Sequence, residues 1–400
     1  MEHVFAQSVE LLTTILTVAG IGYFLAALVA ARVFLALRRR PLGAFAPGVT
    51  ILKSLKGLDP SMLDAFRSHC RQTYAGEYEL LFGVSSLDDP AVGAVRQLMA
   101  EYPEQAIRLV ECPERLGTNG KVSTLVQLAP HARYGYLLVN DSDITVGPRY
   151  LERVMACFAP GAKATGSISH KKALEPVGLV TVLYHGRAHG TLFSRFEALG
   201  ISTDFQAGVL LSRMIEGGLS YGLGSTLAVS REAFETIGGF LPIVDYLADD
   251  YELGARVARA GYRVALAAEV VETSVPAYNW RGFAEHQIRW GRTVRDASPA
   301  GHAGLVFTHG LCWAGLNVVA SGVSPLSVWL LGLSFFLRLA LAMTVGAEVL
   351  GDHEVLPNLW LLPLRDAVAM GGWVEGFTGH TVVWRGERFE LSHGKLTRAG

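Results

Sequence analysis

Charge is scarce in this 400-residue chain: Asp, Glu, Lys and Arg make up 18% of it against 50% hydrophobic residues, and the formal net charge is −1. Such a balance provides no basic field for nucleic acid and places part of the chain in a bilayer. Cysteine is also sparse, and Cys70, Cys112, Cys157 and Cys312 lie far apart with no C-x-x-C pair. That argues against a zinc site and a disulfide scaffold, and fits reduced thiols facing the cytosol. No G-x-G-x-x-G follows the first apolar strand and no Walker lysine motif occurs, so dinucleotide-binding and P-loop folds lack their fingerprint.

Charge is missing altogether from Leu11 to Ala31, a run long enough to cross a hydrocarbon core of about 20 helical residues. Arg38-Arg39-Arg40 follows it, so residues after 40 are expected on the cytoplasmic side of an inner (cytoplasmic) membrane. A second charge-free stretch runs from Gly310 to Leu337 and continues past Arg338 to Gly346, reading as two helices separated near Ser321 to Pro325. Leu356 to Phe377 is apolar but holds Arg365-Asp366 at its middle, so an interfacial or re-entrant helix competes there with a third crossing. The expected organisation is an anchor over 1–40, a cytoplasmic domain over 41–300, and membrane or interfacial helices with a cytoplasmic tail over 301–400.

Between the apolar ends, strand and helix patterns alternate. Strands are read at Val49–Lys53, Tyr78–Ser85 and Ala106–Val110, and helices at Ser61–Gln72, Ala91–Glu101 and Lys121–Leu128. Further strands are read at Lys163–Ser169 and Gly222–Val229, and Pro148–Cys157 as a helix; Val177–Gly218 is an amphipathic stretch without a clear period. The alternation predicts an α/β fold built on a doubly wound, mostly parallel sheet.

The central strand, Tyr134 to Asn140, stops abruptly in Asp141-Ser142-Asp143. Sheets of this class place ligands at the carboxyl ends of their strands. Two carboxylates there are best tolerated when a cation shares them, and hard oxygen ligands with an open shell suit Mg²⁺ or Mn²⁺ held together with a diphosphate. By itself the triplet also suits an ordinary Asx turn. A second strand ends in Asp88-Asp89-Pro90, and Asp249-Asp250 opens a helix, where acidic side chains also simply complement the helix dipole. His286-Gln287-Ile288-Arg289-Trp290 sits on a basic helical stretch.

Together these residues resemble the inverting, A-type glycosyltransferases of the family-2 superfamily, and specifically the ceramide glucosyltransferase family, over roughly residues 49 to 295. Lys53-Ser-Leu-Lys-Gly-Leu-Asp-Pro60 is similar to that family's opening motif, Asp89, Asp141 and Asp250 fall on its three aspartates, and Asn119-Gly-Lys121 resembles its Asn-x-Lys. Arg289-Trp290 fits the closing signature, whose leading Gln or Arg is here His286, with Gln287 one place late. The Asp-Ser-Asp form and the run from His286 through Pro299-Ala-Gly-His-Ala303 look closest to the bacterial branch associated with hopanoid biosynthesis.

The resemblance implies an A-type glycosyltransferase fold with N- and C-terminal transmembrane helices, and transfer from a UDP-sugar to a membrane-lipid hydroxyl. For the hopanoid branch it implies N-acetylglucosamine passing from UDP-GlcNAc to bacteriohopanetetrol; the alternative is glucose passing to ceramide or diacylglycerol. Asp89 would hold the uracil, Asp141 and Asp143 the ribose and the Mg²⁺ or Mn²⁺, and Lys121 and Arg289 would face the phosphates. His286 and Trp290 are assigned to the donor or acceptor, Trp290 being equally suited to a structural position. Asp250, with Asp249 beside it, is the expected general base for single displacement with inversion. A processive polysaccharide synthase would need a larger channel than two or three carboxyl-terminal helices build. A non-catalytic sugar-nucleotide sensor or a membrane structural protein would not call for four carboxylates at element ends.

Overall fold

The computed structural model describes residues 2–39, 43–59, 61–160, 175–384 and 386–398. Its first half follows the alternation read from sequence: α1 (Glu2–Arg38), β1 (Val49–Ser54), α2 (Met62–Cys70), β2 (Tyr78–Val84), α3 (Ala91–Glu101), β3 (Ile107–Glu111), α4 (Gly120–Leu128) and β4 (Tyr136–Val139). Then come β5 (Ile144–Thr145), α5 (Tyr150–Met155), β6 (Val177–Ala188), α6 (Leu192–Gly200), α7 (Gln206–Glu216), β7 (Leu227–Ser230), α8 (Arg231–Thr236), α9 (Asp249–Arg259) and β8 (Arg263–Val275). The remainder is α10 (Trp280–Ala297), α11 (Pro299–Gly304), α12 (Gly310–Ala320), α13 (Pro325–Ala342), α14 (Val355–Asn358), α15 (Leu362–Gly376), β9 (Thr381–Trp384), β10 (Glu387–Ser392) and β11 (Lys395–Arg398). The strand expected at 163–169 lies outside the described residues.

The chain packs as two units that interleave along the sequence, one formed by Met1–Leu35, His185–Leu211 and Ala277–Arg388, the other by Ala36–Tyr184, Ser212–Pro276 and Phe389–Gly400. The second of these is organised by a sheet of order β3-β2-β1-β4-β7-β6-β8-β5. β1 pairs in parallel with both β2 and β4, Leu52 standing between Leu81 and Val139, and β3 adds in parallel outside β2. Val49 to Lys53 are all buried, as a strand covered on both faces requires.

Beyond β4 the direction changes. β7 runs antiparallel to β4, β6 antiparallel to β7, and β5 antiparallel to β8, so the sheet is mixed and not mostly parallel. Strand direction is set by the connections: the helical crossovers through α2, α3 and α4 return β2, β3 and β4 in parallel. The strand expected at 222–229 is confined to β7, because 222–226 form a turn closed by the Thr226 amide donating to the Leu223 carbonyl at 3.1 Å.

Among the described residues three helical stretches are long and apolar enough to cross a membrane: His3–Arg38, Pro299–Ala320 and Pro325–Val349. The break between the last two coincides with the one read from sequence. Leu356–Phe377 instead divides into α14, a 3₁₀ turn and the 15-residue α15, shorter than the ~20 residues a crossing needs. Arg365 and Asp366 are neighbours in sequence but bond elsewhere. Asp366 accepts two 2.8 Å bonds from Arg338, and Arg365 Nε donates to the Phe196 carbonyl at 2.9 Å.

Candidate active site

Asn140 ends β4 and is almost fully buried. Its Nδ2 donates to the Ser225 carbonyl (2.6 Å) and meets the Tyr150 hydroxyl (3.0 Å) and Thr226 Oγ1 (3.1 Å), while its Oδ1 lies 3.1 Å from a His69 ring nitrogen. With the strand end pinned this way, Asp141 is the first residue free to point beyond the sheet. Beneath it, Lys53 at the end of β1 is buried and donates to the Asp141 carbonyl at 3.0 Å. Burial pulls the Lys53 ammonium down to about 7 against the attraction of Asp143 and Asp141.

Lys121, in the first turn of α4, supplies the charge that holds the site together. Its Nζ lies 2.8 Å from Asp141 Oδ1 and 3.1 Å from Asp249 Oδ2. Burial by itself would lower this lysine, but Asp141, Asp249 and Asp250 more than offset it and keep the ammonium above its ordinary range. Asn119 explains why Lys121 is so placed. Its Oδ1 caps α4 by accepting from the Val122 amide (3.2 Å), and its Nδ2 donates to the Tyr246 carbonyl (2.7 Å) in the segment leading into α9. The same residue thus sets the lysine and the approach to Asp249.

Asp249 and Asp250 occupy the first turn of α9, where the helix dipole favours them. The helix lies against the 221–224 segment, backbone to backbone: a methyl on Gly254 would fall 2.1 Å from the Gly222 amide nitrogen. At Gly224 the missing side chain leaves a cradle between two carboxylates, since a methyl there would stand 3.1 Å from Asp250 Oδ2 and 3.6 Å from Asp141 Oδ2. Desolvation, then repulsion from Asp249, raises the Asp250 carboxyl to about 6 against the pull of Lys121.

Asp143 belongs to the same cluster but is turned toward β8, where its Oδ2 accepts from Thr273 Oγ1 (2.6 Å) and the Ser274 amide (3.1 Å). Burial and the neighbouring Asp141 push its carboxyl to about 6. Asp141, Asp143, Asp249 and Asp250 face Lys121 and the weakened Lys53, a surplus of negative charge that suits a divalent cation. Among the described residues no group of three or more His, Cys, Asp or Glu forms a ready metal cage. Asp141 and Asp143 would supply one or two protein oxygens to such a cation.

Asp89, expected at a strand end, instead lies in the turn before α3, where its carboxylate accepts from the Gly57 amide (3.0 and 3.1 Å) and the Ala91 amide (2.9 Å). It therefore braces the loop after β1 against the start of α3. His286, Arg289 and Trp290 lie on α10, in the membrane-helix unit. There His286 Nδ1 is 3.4 Å from Glu197 Oε1, Gln287 Nε2 donates a short bond to Glu197 Oε2, and Trp290 packs on Phe205 and His286 at ring distances of 5.5 Å. Burial raises the Glu197 carboxyl, but His286, Arg365 and Gln287 outweigh that and keep it ionised below the usual range. Sequence reasoning missed Lys53, Asn140 and Glu197. Lys53 had a signal, a lysine closing a strand pattern in a recognised motif; Glu197 had none, sitting in the stretch without a period.

Asp141 beyond the end of β4 and Asp249 and Asp250 at the start of α9 meet around Lys121 on a mixed α/β sheet. The fold has a solved counterpart: the mannosyltransferase PcManGT from Pyrobaculum calidifontis, in complex with GDP-Man and Mn²⁺, matches with a TM-score of 0.52 over 92% of this chain and 97% of that one, at 19% identity. Residues 12–397 match the model of glycosyl transferase family 21, and the chain belongs to that family; it is a glycosyltransferase. Ceramide glucosyltransferase 3 of Caenorhabditis elegans is 27% identical over 361 residues, 87% of this chain and 73% of that protein. A ceramide glucosyltransferase of Komagataella phaffii is 32% identical over 110 residues, covering 26% of this chain and 21% of that protein.

Proposed function

We propose that the protein transfers a sugar from a UDP-sugar to a hydroxyl of a membrane lipid, with inversion. The observation that carries this reading is Lys121 bridging Asp141 and Asp249 with Asp250 alongside, in a chain with three helices fit to cross a membrane. The ceramide glucosyltransferases among its relatives support the lipid acceptor.

Asp250 is the base. An acid near 6 is ionised at neutral pH yet basic enough to take a proton from an attacking hydroxyl, a role worth about 10²–10⁴-fold. Lys121 holds Asp141 and α9 in register and presents positive charge where a diphosphate departs. Mg²⁺ or Mn²⁺, held by Asp141 with Asp143 behind it, would neutralise leaving-group charge when bound. Lys53 supports Asp141 from below, and Asp89 acts on the nucleotide through the loop it braces. For His286, Arg289 and Trp290 the support is the resemblance of their motif, and for His286 also its pairing with Glu197.

At finer grain we take N-acetylglucosamine and bacteriohopanetetrol as donor sugar and acceptor, on the similarity of residues 286–303 to the hopanoid branch. Glucose and ceramide form the second reading, favoured by the relatives of known name. The catalytic residues face the cytoplasm of an inner-membrane protein in either case, in line with Arg38-Arg39-Arg40 after the first apolar helix. Mass spectrometry of products from purified protein, UDP-glucose or UDP-N-acetylglucosamine, and each lipid decides between them. An N-acetylhexosamine on the hopanoid alone supports the first reading, a hexose on ceramide the second, and no glycolipid with any pair refutes both.

A further inference from the structure

Each of the three membrane-length stretches carries a polar residue near its midpoint: Tyr23 in His3–Arg38, His309 in Pro299–Ala320 and Arg338 in Pro325–Val349. These converge. Asp204 lies within electrostatic reach of all three. Arg338 is paired with Asp366 and also donates to the Thr203 carbonyl (3.1 Å) and hydroxyl (3.2 Å). Gln206, three residues beyond Thr203, is wholly buried, and a methyl on nearby Gly208 would meet the Tyr23 hydroxyl at 3.9 Å.

Among the described residues the Tyr23 hydroxyl, both amide atoms of Gln206 and His309 Nε2 have no hydrogen-bond partner. Each such group gives up its hydrogen bonds to water on burial and gains none in return, a loss that is greater where no water can substitute. Four of them around a buried ion pair are too costly to be packing accidents. Polar and ionisable groups within membrane helices typically mark substrate paths. The backbone points the same way, since Thr203 and Asp204 sit in a π-helical turn, Ile201–Phe205, a feature frequent at functional sites.

We propose that this cluster receives the polar group of the acceptor lipid, a neutral lipid bearing hydroxyl or amide groups. Gln206 offers a donor and an acceptor, Tyr23 either, and His309 a ring nitrogen. The charges around His309, Arg338 and Arg365 against Asp366 and Asp204, balance without a net positive charge for a phosphate, so an anionic glycerophospholipid is a poor fit. The inference rests on the lipid-acceptor reading above and gives that acceptor a binding site.

Tyr23→Phe and Gln206→Met test it, because each removes polar atoms that bond nothing in the protein. Full-length protein in phosphatidylcholine nanodiscs is titrated with N-hexanoylsphingosine, with bacteriohopanetetrol and with phosphatidylglycerol, following bound lipid by native mass spectrometry, Tm, and KM for lipid and UDP-sugar. The expected result is binding of a neutral probe by the wild type, weakened tenfold or more in both variants, with Tm unchanged or higher and donor KM unmoved. Binding of neither neutral probe, wild-type affinity in both variants, tighter binding of phosphatidylglycerol, or a fall in Tm in both variants overturns the proposal. Lipid binding that depends on Gln206 without sugar transfer to any lipid would keep this site and sink the lipid-acceptor reading instead.

Discussion

Lys121→Met removes the ammonium between Asp141 and Asp249 while keeping most of the side-chain length. In the native site the charge stands 2.8 and 3.1 Å from those carboxylates. Breaking a buried pair by deleting one partner costs about 3–5 kcal/mol, but the Asp141 side chain is 42% exposed, so screening reduces that to on the order of 2–3 kcal/mol. At roughly 2–4 °C per kcal/mol, Tm at pH 8 should fall by about 4–12 °C. The pH dependence is the sharper test. Without Lys121 nothing offsets the burial and the Asp249 repulsion that raise the Asp250 carboxyl, so the destabilisation is present above its folded-state value and fades as pH falls through it. The deficit in Tm against wild type should therefore shrink between pH 8 and pH 5, and millimolar Mg²⁺ should shrink it at pH 8. The same deficit at both pH values, or no deficit at all, would refute the charge account of this site.

Three further outcomes follow from the same geometry. The wild-type rate should lose its activity tenfold per pH unit below about 6, as Asp250 takes up its proton, measured as UDP release between pH 4.5 and 8. Gly254→Ala should lower Tm by an amount matching about 1–3 kcal/mol of overpacking or more, since its methyl would land 2.1 Å from the Gly222 amide nitrogen; a neutral result would show that α9 moves freely at its start. Asp366→Asn leaves the Arg338 guanidinium buried without its counter-charge and should destabilise by about 3–5 kcal/mol, read from thermal scans in detergent.

Much of this was legible in the chain. The parallel half of the sheet follows from apolar runs closed by polar turns, and Asp141-Ser142-Asp143 just beyond β4 marks the candidate site because apolar strands seldom end in two carboxylates by chance. Asn119 and Lys121 carry a helix-cap signal that fixes them locally. What the chain concealed depends on tertiary partners. Strand direction in the antiparallel half has no local signal, and in α6, the π-helical turn and α7 the buried polar residues Glu197, Thr203 and Gln206 interrupt the buried apolar face. Arg365 and Asp366 are adjacent in sequence, but adjacent helical residues point about 100° apart, and each bonds to a partner on another element.

The claim that Asp250 is the base of a lipid glycosyltransferase is tested most directly by Asp250→Asn, with UDP-sugar binding and turnover measured on the same preparation. Binding within a few-fold of wild type and turnover reduced by about 10²–10⁴-fold is the predicted pair of results. Turnover near the wild-type rate would contradict it.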